Sequence, residues 1–559
     1  MGLMGLLALF AADLIIRDAK VVTLDAKSSV AQAVAVRAGK IVAVGTKEAV
    51  LKLKEKGTRV IDAKGMTLLP GLYDSHVHPV GVVTTELADP PPVIRSLKDA
   101  FARIREQAKK KKEGDWIVLR YVFPTRLDEA RFPTLAELDA VAPRHPVLFH
   151  AGPASMVNTA ALRRSGITRE TKSPPDGMLV KDARGEPTGM IRNAYSLLKG
   201  VPREGDRVAA KDLREGVRKL FALYNEQGIT SIADRAGSKA GLDLYRSLAK
   251  AGELTVRVNC SRGFDPGADP DKQLDRLEKE GGPTGHGDDL VRTGPLKLFL
   301  DGGMLNGTAY MRQPWPPGPT YQVTEKDYRG LLFIKPERLA DVVLAATRRK
   351  WQVTAHTAGE AAMDHLLDAY AVAHRRASVK DLRLCITHAN FPSKDNLARC
   401  KEMGVVADVQ PAWLYKDGST LAKVLPKERM RWFQPYKSWL AHTVIGGGSD
   451  HMLRYDSLDS TNPWNPWLGI WTALARKTER AGVLLPEERL TREQALRMYT
   501  MGSAFICHEE KAKGSIEVGK LADLVLIDRD ILACPVEGIK ETKAVLTVVD
   551  GKIVHQRKE

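Results

Sequence analysis

The sequence contains no stretch approaching the roughly 20 consecutive apolar residues that a membrane-spanning helix needs, which excludes a helical integral membrane protein. Its five cysteines, Cys260, Cys385, Cys400, Cys507 and Cys534, are scattered without a CxxC pair. That excludes both a disulfide framework and a thiolate zinc site. No periodic internal repeat and no long low-complexity segment occurs. The run Gly446-Gly447-Gly448 lacks the lysine of a phosphate loop, so it reads as close backbone approach and not nucleotide binding. Acidic residues are in deficit, 68 against 85 lysines and arginines, a formal net charge of +17. Such a balance suits nucleic acid, an acidic substrate or a basic host proteome. No helix-turn-helix, zinc finger or aromatic RNA motif accompanies it, and the lysines at 109–112 read as the solvated end of a helix over 96–112. No nucleic-acid partner is expected, and a polyanion-binding protein on a barrel scaffold is the weakest reading.

With 43% apolar and 27% charged residues, the 559-residue chain has material for a large core and is not disordered. Its length suits three to four domains, or one large barrel with attachments. Residues 3–12 are apolar and end in small residues, like the end of a secretory signal peptide, yet no lysine or arginine precedes them. Exported, periplasmic and cytoplasmic locations therefore stay open, and 1–12 is set aside as a signal-peptide remnant.

Residues 13–67 read as short strands separated by turn signals, and 514–559 repeat the pattern. Ala38-Gly39-Lys40-Ile41-Val42 and Asp550-Gly551-Lys552-Ile553-Val554 are nearly the same hairpin. One composite β-sandwich built from both termini is the economical arrangement, leaving 68–513 between. There, eight strand-like runs (72–78, 229–234, 255–260, 296–300, 352–356, 382–388, 405–409 and 444–450) alternate with helical patterns. Eight such units close an α/β, TIM-like (β/α)8 barrel. The long gap between the first two runs predicts an inserted subdomain, 85–225, over the barrel mouth.

Candidate chemistry sits at the ends of these runs. His76 and His78, at i and i+2 on a strand, point to one face and can reach one ion. His356, His388 and Asp450 end the fifth, sixth and eighth runs, where metal and catalytic groups of such barrels sit. Lys297, with apolar neighbours on both sides, must be paired, neutral or modified. An ion pair with Asp301 or another barrel carboxylate and a metal-bridging carbamate formed with carbon dioxide are the two readings.

This order of HxH, strand lysine, histidine, histidine and aspartate, with its two-ended β domain, resembles the amidohydrolase superfamily of metal-dependent hydrolases, and amidohydrolase family 3 in particular. The resemblance rests on Leu69-Pro70-Gly71-Leu72-Tyr73-Asp74-Ser75-His76-Val77-His78, Lys297-Leu298-Phe299-Leu300-Asp301-Gly302, His356-Thr357-Ala358-Gly359-Glu360, Ile386-Thr387-His388-Ala389, Gly448-Ser449-Asp450 and a closing signature over 514–525. It implies a divalent metal site, usually Zn2+, and hydrolysis of an amide or other non-peptide C–N bond in a small-molecule substrate. By resemblance, His76, His78 and Asp450 hold one metal, and His356 and His388 a second. Carboxylated Lys297 bridges them, and Asp450 is also the catalytic proton carrier. An esterase or lactonase on the same site is the alternative. Pro153 stands where the family often has histidine, which puts familiar substrates in doubt. Trp413, Tyr415 and His451 are candidates for substrate contact, with Trp432, Phe433, Tyr436, Trp439, Trp464 and Trp467 nearby in the chain. A homo-oligomer is compatible with the sequence.

Overall fold

Eight parallel strands form one sheet whose spatial order is the chain order: Leu72–Val77, Ile229–Asp234, Arg257–Gly263, Val291–Phe299, Val353–Thr357, Cys385–His388, Val406–Val409 and Ile445–Gly447. The computed structural model describes residues 11–202, 208–480 and 482–558, so most of the suspected signal remnant, 1–10, lies outside the described residues. All eight runs seen in the sequence are these strands, with shifted ends. The first is buried at every position, as expected of a parallel strand covered on both faces. First and last strands meet without a regular ladder. The parallel bridge Val77–His451 joins them, together with N–H bonds from Asp450 to His76 O (2.8 Å) and from His78 to His451 O (3.0 Å). The result is a TIM-like barrel whose seam lies at His76, His78 and Asp450 themselves. Helices such as Glu360–Arg376, which buries Met363, Leu366, Leu367, Tyr370 and Ala373 at helical spacing, cover the outside.

Strands from the two chain ends build two further sheets. One carries Lys40–Gly45, Ala33–Arg37, Leu14–Arg17 and Arg59–Asp62. The other interleaves Lys552–Gln556, Ala544–Val549 and Leu524–Ile527 with Thr67–Pro70, Lys20–Val22 and Val30–Ala31. Leu14, Ile16, Val34 and Val36 of the first share a core with Val21, Leu68, Leu524, Leu546 and Val548 of the second. The two similar hairpins turn through left-handed pairs, Ala38-Gly39 (φ 47° and 75°) and Asp550-Gly551 (φ 54° and 73°). They sit back to back, so close that a Cβ on Gly39 would stand 2.6 Å from Asp550 Oδ1. Arg257 of the barrel, fully buried, grips Asp523 through two nitrogens (2.7 and 3.0 Å) and reaches Asp550 at 3.2 Å.

Between the first two barrel strands stands a five-stranded sheet. Its order is Met178–Lys181, Pro187–Arg192, Ala154–Val157, Val147–Ala151, Ile117–Leu119. Strand alternation gives it two apolar faces. Val147, Phe149, Ala151, Ala154 and Met156 join the main barrel core, whereas Leu148, Val157 and Ile191 pack with Ala161 and Leu162 of the helix Thr159–Ser165. The basic run ends the helix Leu97–Lys110, which opens with a Ser96–Asp99 capping box.

Candidate metal centre

The carboxyl ends of the strands bring the histidines of the sequence reading together. His76 and His78 have ring centroids 5.1 Å apart, His76 and His388 4.9 Å, and His388 and His356 4.3 Å. Asp450 Oδ1 lies 3.3 Å from His76 Nε2 and 3.0 Å from His78 Nε2. Asp450 adopts a left-handed backbone (φ 55°), which turns its carboxylate back over the seam. Gly448 permits this approach, since a Cβ there would meet His76 N and Cβ at 2.7 Å. The glycine run thus serves close packing at the site.

In three of the rings, hydrogen bonding leaves one lone pair for a ligand. His76 Nδ1 donates to Asp408 Oδ1 (3.1 Å), which leaves Nε2 toward Asp450. His388 Nδ1 donates to Gln410 Oε1 (2.8 Å), and the same amide's Nε2 donates to Asp408 Oδ1 (2.8 Å), which fixes its orientation. His356 Nε2 donates to Gly302 O (3.2 Å), leaving Nδ1. Histidines whose second nitrogen donates to a fixed oxygen are the pattern of metal ligands. Burial holds His76 and His388 well below the usual imidazole range and His356 at about 3, each lowered further by neighbouring cationic groups, so these three rings are neutral at pH 7. Burial also raises Asp450, with the His78 bond opposing.

Lys297 is buried in the fourth strand and its Nζ has no hydrogen-bond partner among the described residues. The pairing with Asp301 does not form. Asp301 instead accepts the N–H groups of Tyr310, Ala358 and Gly359, each at 2.9 Å. Burial lowers the Lys297 ammonium to about 8, against the pull of Asp408. An unpartnered buried amine beside neutral imidazoles and a carboxylate fits a site that receives a cation and a modified lysine; an ordinary packed core would leave it a costly orphan.

Two groups could hold an ion among the described residues: His76, His78 and Asp450, and His76, His388 and Asp408. We favour the first as a ligand set. Asp408 already accepts from His76, Gln410, Thr387 Oγ1 (3.2 Å) and Arg235 Nε (3.2 Å), so its oxygens support the rings. Asp408 and Arg235 escaped motif reading. The signal was available, because an aspartate inside Val405-Val406-Ala407-Asp408-Val409 violates the apolar strand as Lys297 does.

The three residues expected to touch substrate part company. Trp413 stacks on His388 (4.6 Å, 20°), so it borders the centre. Tyr415, two residues on along the helix Pro411–Val424, projects about 200° away and meets Trp471 at 6.1 Å. His451 is fully buried. Its Nε2 donates to Arg454 O (2.7 Å) and its Nδ1 accepts from Tyr224 (2.8 Å), so neither nitrogen is left for a substrate. Phe433, Tyr436, Trp439, Trp464 and Trp467 are core. Phe299 was not singled out. Its ring stacks on His356 (5.8 Å) and is 53% exposed, an apolar wall beside the cluster. A cavity of about 550 Å3 lies to one side, walled by Phe123, Arg126, Arg454 and Thr461 among others, and none of the cluster histidines lines it. Size alone does not mark the chemistry.

Residues 59–555 match the amidohydrolase family profile. The N-substituted formamide deformylase of Arthrobacter pascens is 29% identical over 98% of both chains. An uncharacterized metal-dependent hydrolase from Pyrococcus horikoshii OT3 superposes with a TM-score of 0.66 at 21% identity, covering 94% of this chain and 99% of its own. A zinc complex of the atrazine chlorohydrolase TrzN from Arthrobacter aurescens TC1 gives 0.53 at 18% identity, over 97% and 95%. No described helix is long and apolar enough to cross a membrane. The buried histidine–aspartate cluster at the barrel mouth and the profile match agree: this chain belongs to the amidohydrolase family, metal-dependent hydrolases of non-peptide C–N bonds.

Proposed function

We propose that the chain hydrolyses the C–N bond of a small N-substituted amide, an N-substituted formamide being the first candidate, with Zn2+ held by His76, His78 and Asp450. His356 and His388 would hold a second ion, and Lys297, after its free amine adds to carbon dioxide and releases a proton, would bridge the two as a carbamate. The observation that carries this is the convergence of four imidazoles, one aspartate and one buried lysine without a hydrogen-bond partner among the described residues on the same end of the barrel. A bound divalent cation supplies a water of pKa near 7 and an electrophile for the scissile carbonyl.

The chain's own residues do the rest. Asp450 Oδ1, seated against His78 Nε2, takes the proton of the attacking water. As the water oxygen adds to the carbonyl carbon and the C–N bond breaks, the same carboxyl returns that proton to the leaving nitrogen. Asp408 and Gln410 keep the imidazoles of His76 and His388 in the tautomers that face the centre. Phe299 offers an apolar face for the substituent of the amide, which suits the substrate class named for the Arthrobacter pascens relative. Purified protein loaded with zinc should release amine from an N-substituted formamide and lose that activity on chelation. A protein that carries stoichiometric metal and turns over esters or lactones but no amide would overturn the substrate class.

A further inference from the structure

Asp450 is held from behind by a residue of the last-strand loop that is itself held from the segment inserted after the first strand. Asn462, fully buried, donates its amide Nδ2 to the main-chain oxygen of Asp450 (2.5 Å) and to its Oδ2 (3.3 Å). One amide therefore fixes both the left-handed backbone of Asp450 and the rotation of its carboxylate, leaving Oδ1 to the histidines. The amide cannot flip. Its Oδ1 accepts from Arg126 Nη1 (2.9 Å) and Trp413 Nε1 (3.3 Å), and only an oxygen can satisfy two donors there.

Arg126 comes from the short helical turn Pro124–Arg126, far from the barrel strands in sequence. Its guanidinium forks onto Asp417, Nε to Oδ1 at 2.9 Å and Nη2 to Oδ2 at 2.8 Å, and bonds the Thr461 carbonyl. Thr125 Oγ1 adds a bond to Asp417 Oδ1 (2.7 Å). Asp417 shares the helix Pro411–Val424 with Trp413, whose ring stacks on His388. One guanidinium thus ties the inserted segment to both sides of the centre: to Asp450 through Asn462, and to His388 through the helix of Asp417 and Trp413.

We propose that Arg126 and Asn462 are positioning residues: they set the direction of the Asp450 carboxylate, so that the inserted segment takes part in assembling the catalytic site. This rests on the role given to Asp450 above. An isosteric change, Asn462→Asp, keeps the shape and the Arg126 partner but replaces the donor to Asp450 with an oxygen. Because Arg126→Ala would strand the buried Asp417 charge and endanger folding, the pair Arg126→Gln with Asp417→Asn serves as the second variant.

Both variants should lose at least about tenfold in kcat on the N-substituted formamide, with KM within about threefold, as misplacement of a reacting group does. With cobalt(II) in place of zinc, both should bind metal at the parent stoichiometry and show an altered visible absorption spectrum, a readout independent of turnover. Parent-like kcat, or a cobalt spectrum unchanged in both variants, would overturn the inference. Asp450→Asn separates the two claims. If that variant keeps normal turnover, the proton-carrier reading fails while the cobalt signature still reports on the positioning of Asp450.

Discussion

The two ends of the polypeptide and the mouth of the barrel obey different rules. In the terminal sandwich, local preference and global fold agree. Its apolar positions face one core, its positive-φ residues include the turn pairs Ala38-Gly39 and Asp550-Gly551, and the arginine that ties it to the barrel is fully paired. At the mouth the departures are buried and gathered together: Asp450 and His388 adopt positive φ (55° and 76°), Lys297 Nζ is buried with no hydrogen-bond partner among the described residues, and four imidazoles crowd each other. Sites that violate local consistency while the rest of the fold honours it are where function is expected. The sandwich is built for stability and the mouth for chemistry, and substitutions in each should fail differently.

The largest expected effect is on chemistry alone. Asp450→Asn should lose at least about a hundredfold in kcat, within the range for loss of a general acid–base, while the thermal midpoint of the metal-loaded protein stays near that of the parent. Steady-state kinetics beside calorimetry check this, and a fall in stability with intact turnover would invert the comparison. The mirror experiment is Arg257→Ala. It leaves Asp523 buried and unpaired, so denaturant unfolding should show a loss of about 3 kcal/mol or more, with kcat per folded molecule unchanged.

Much of this comparison was legible in the sequence, and the exceptions have physical causes. The barrel strands announced themselves because buried parallel strands are short apolar runs, and HxH placed both imidazoles on one face because strand alternation leaves no choice. The hairpin at 550–554 was readable from Asp-Gly alone. Asp408 is visible in the sequence only as a carboxylate out of place in an apolar strand; its role, like that of Arg235, is explained by the pairing of the two and by His76, residues distant in the chain. His451 and Tyr415 lie on mouth-side segments, as loops after the late strands predict, yet their side chains pack elsewhere. One turn after Asp450 sends His451 into the core, and helix phase parts Tyr415 from Trp413. Asn462 carries no motif at all; its importance lies wholly in what its amide touches.

A smaller effect sharpens the account of Lys297. Only the free amine reacts with carbon dioxide, and its fraction rises about tenfold per pH unit up to the Lys297 value of about 8 and then levels off. At a fixed carbon dioxide pressure, zinc uptake by the metal-free protein should therefore quicken between pH 6.5 and 8.5. In Lys297→Ala the stoichiometry should fall and the carbon dioxide dependence vanish. A flat profile in the parent protein would deny the carbamate. The smallest effect belongs to the sandwich: Gly551→Ala forces a Cβ onto a positive φ (73°) within 3.1 Å of Val36 Cγ1, and should lower unfolding stability by about 1 kcal/mol with no change in turnover.

The most direct test of the central claim is anomalous diffraction at the zinc edge from crystals of the zinc-loaded protein. The account predicts a peak enclosed by His76 Nε2, His78 Nε2 and Asp450, with added density on Lys297 Nζ. A zinc peak elsewhere, or full zinc occupancy with these three side chains turned away from it, would contradict it.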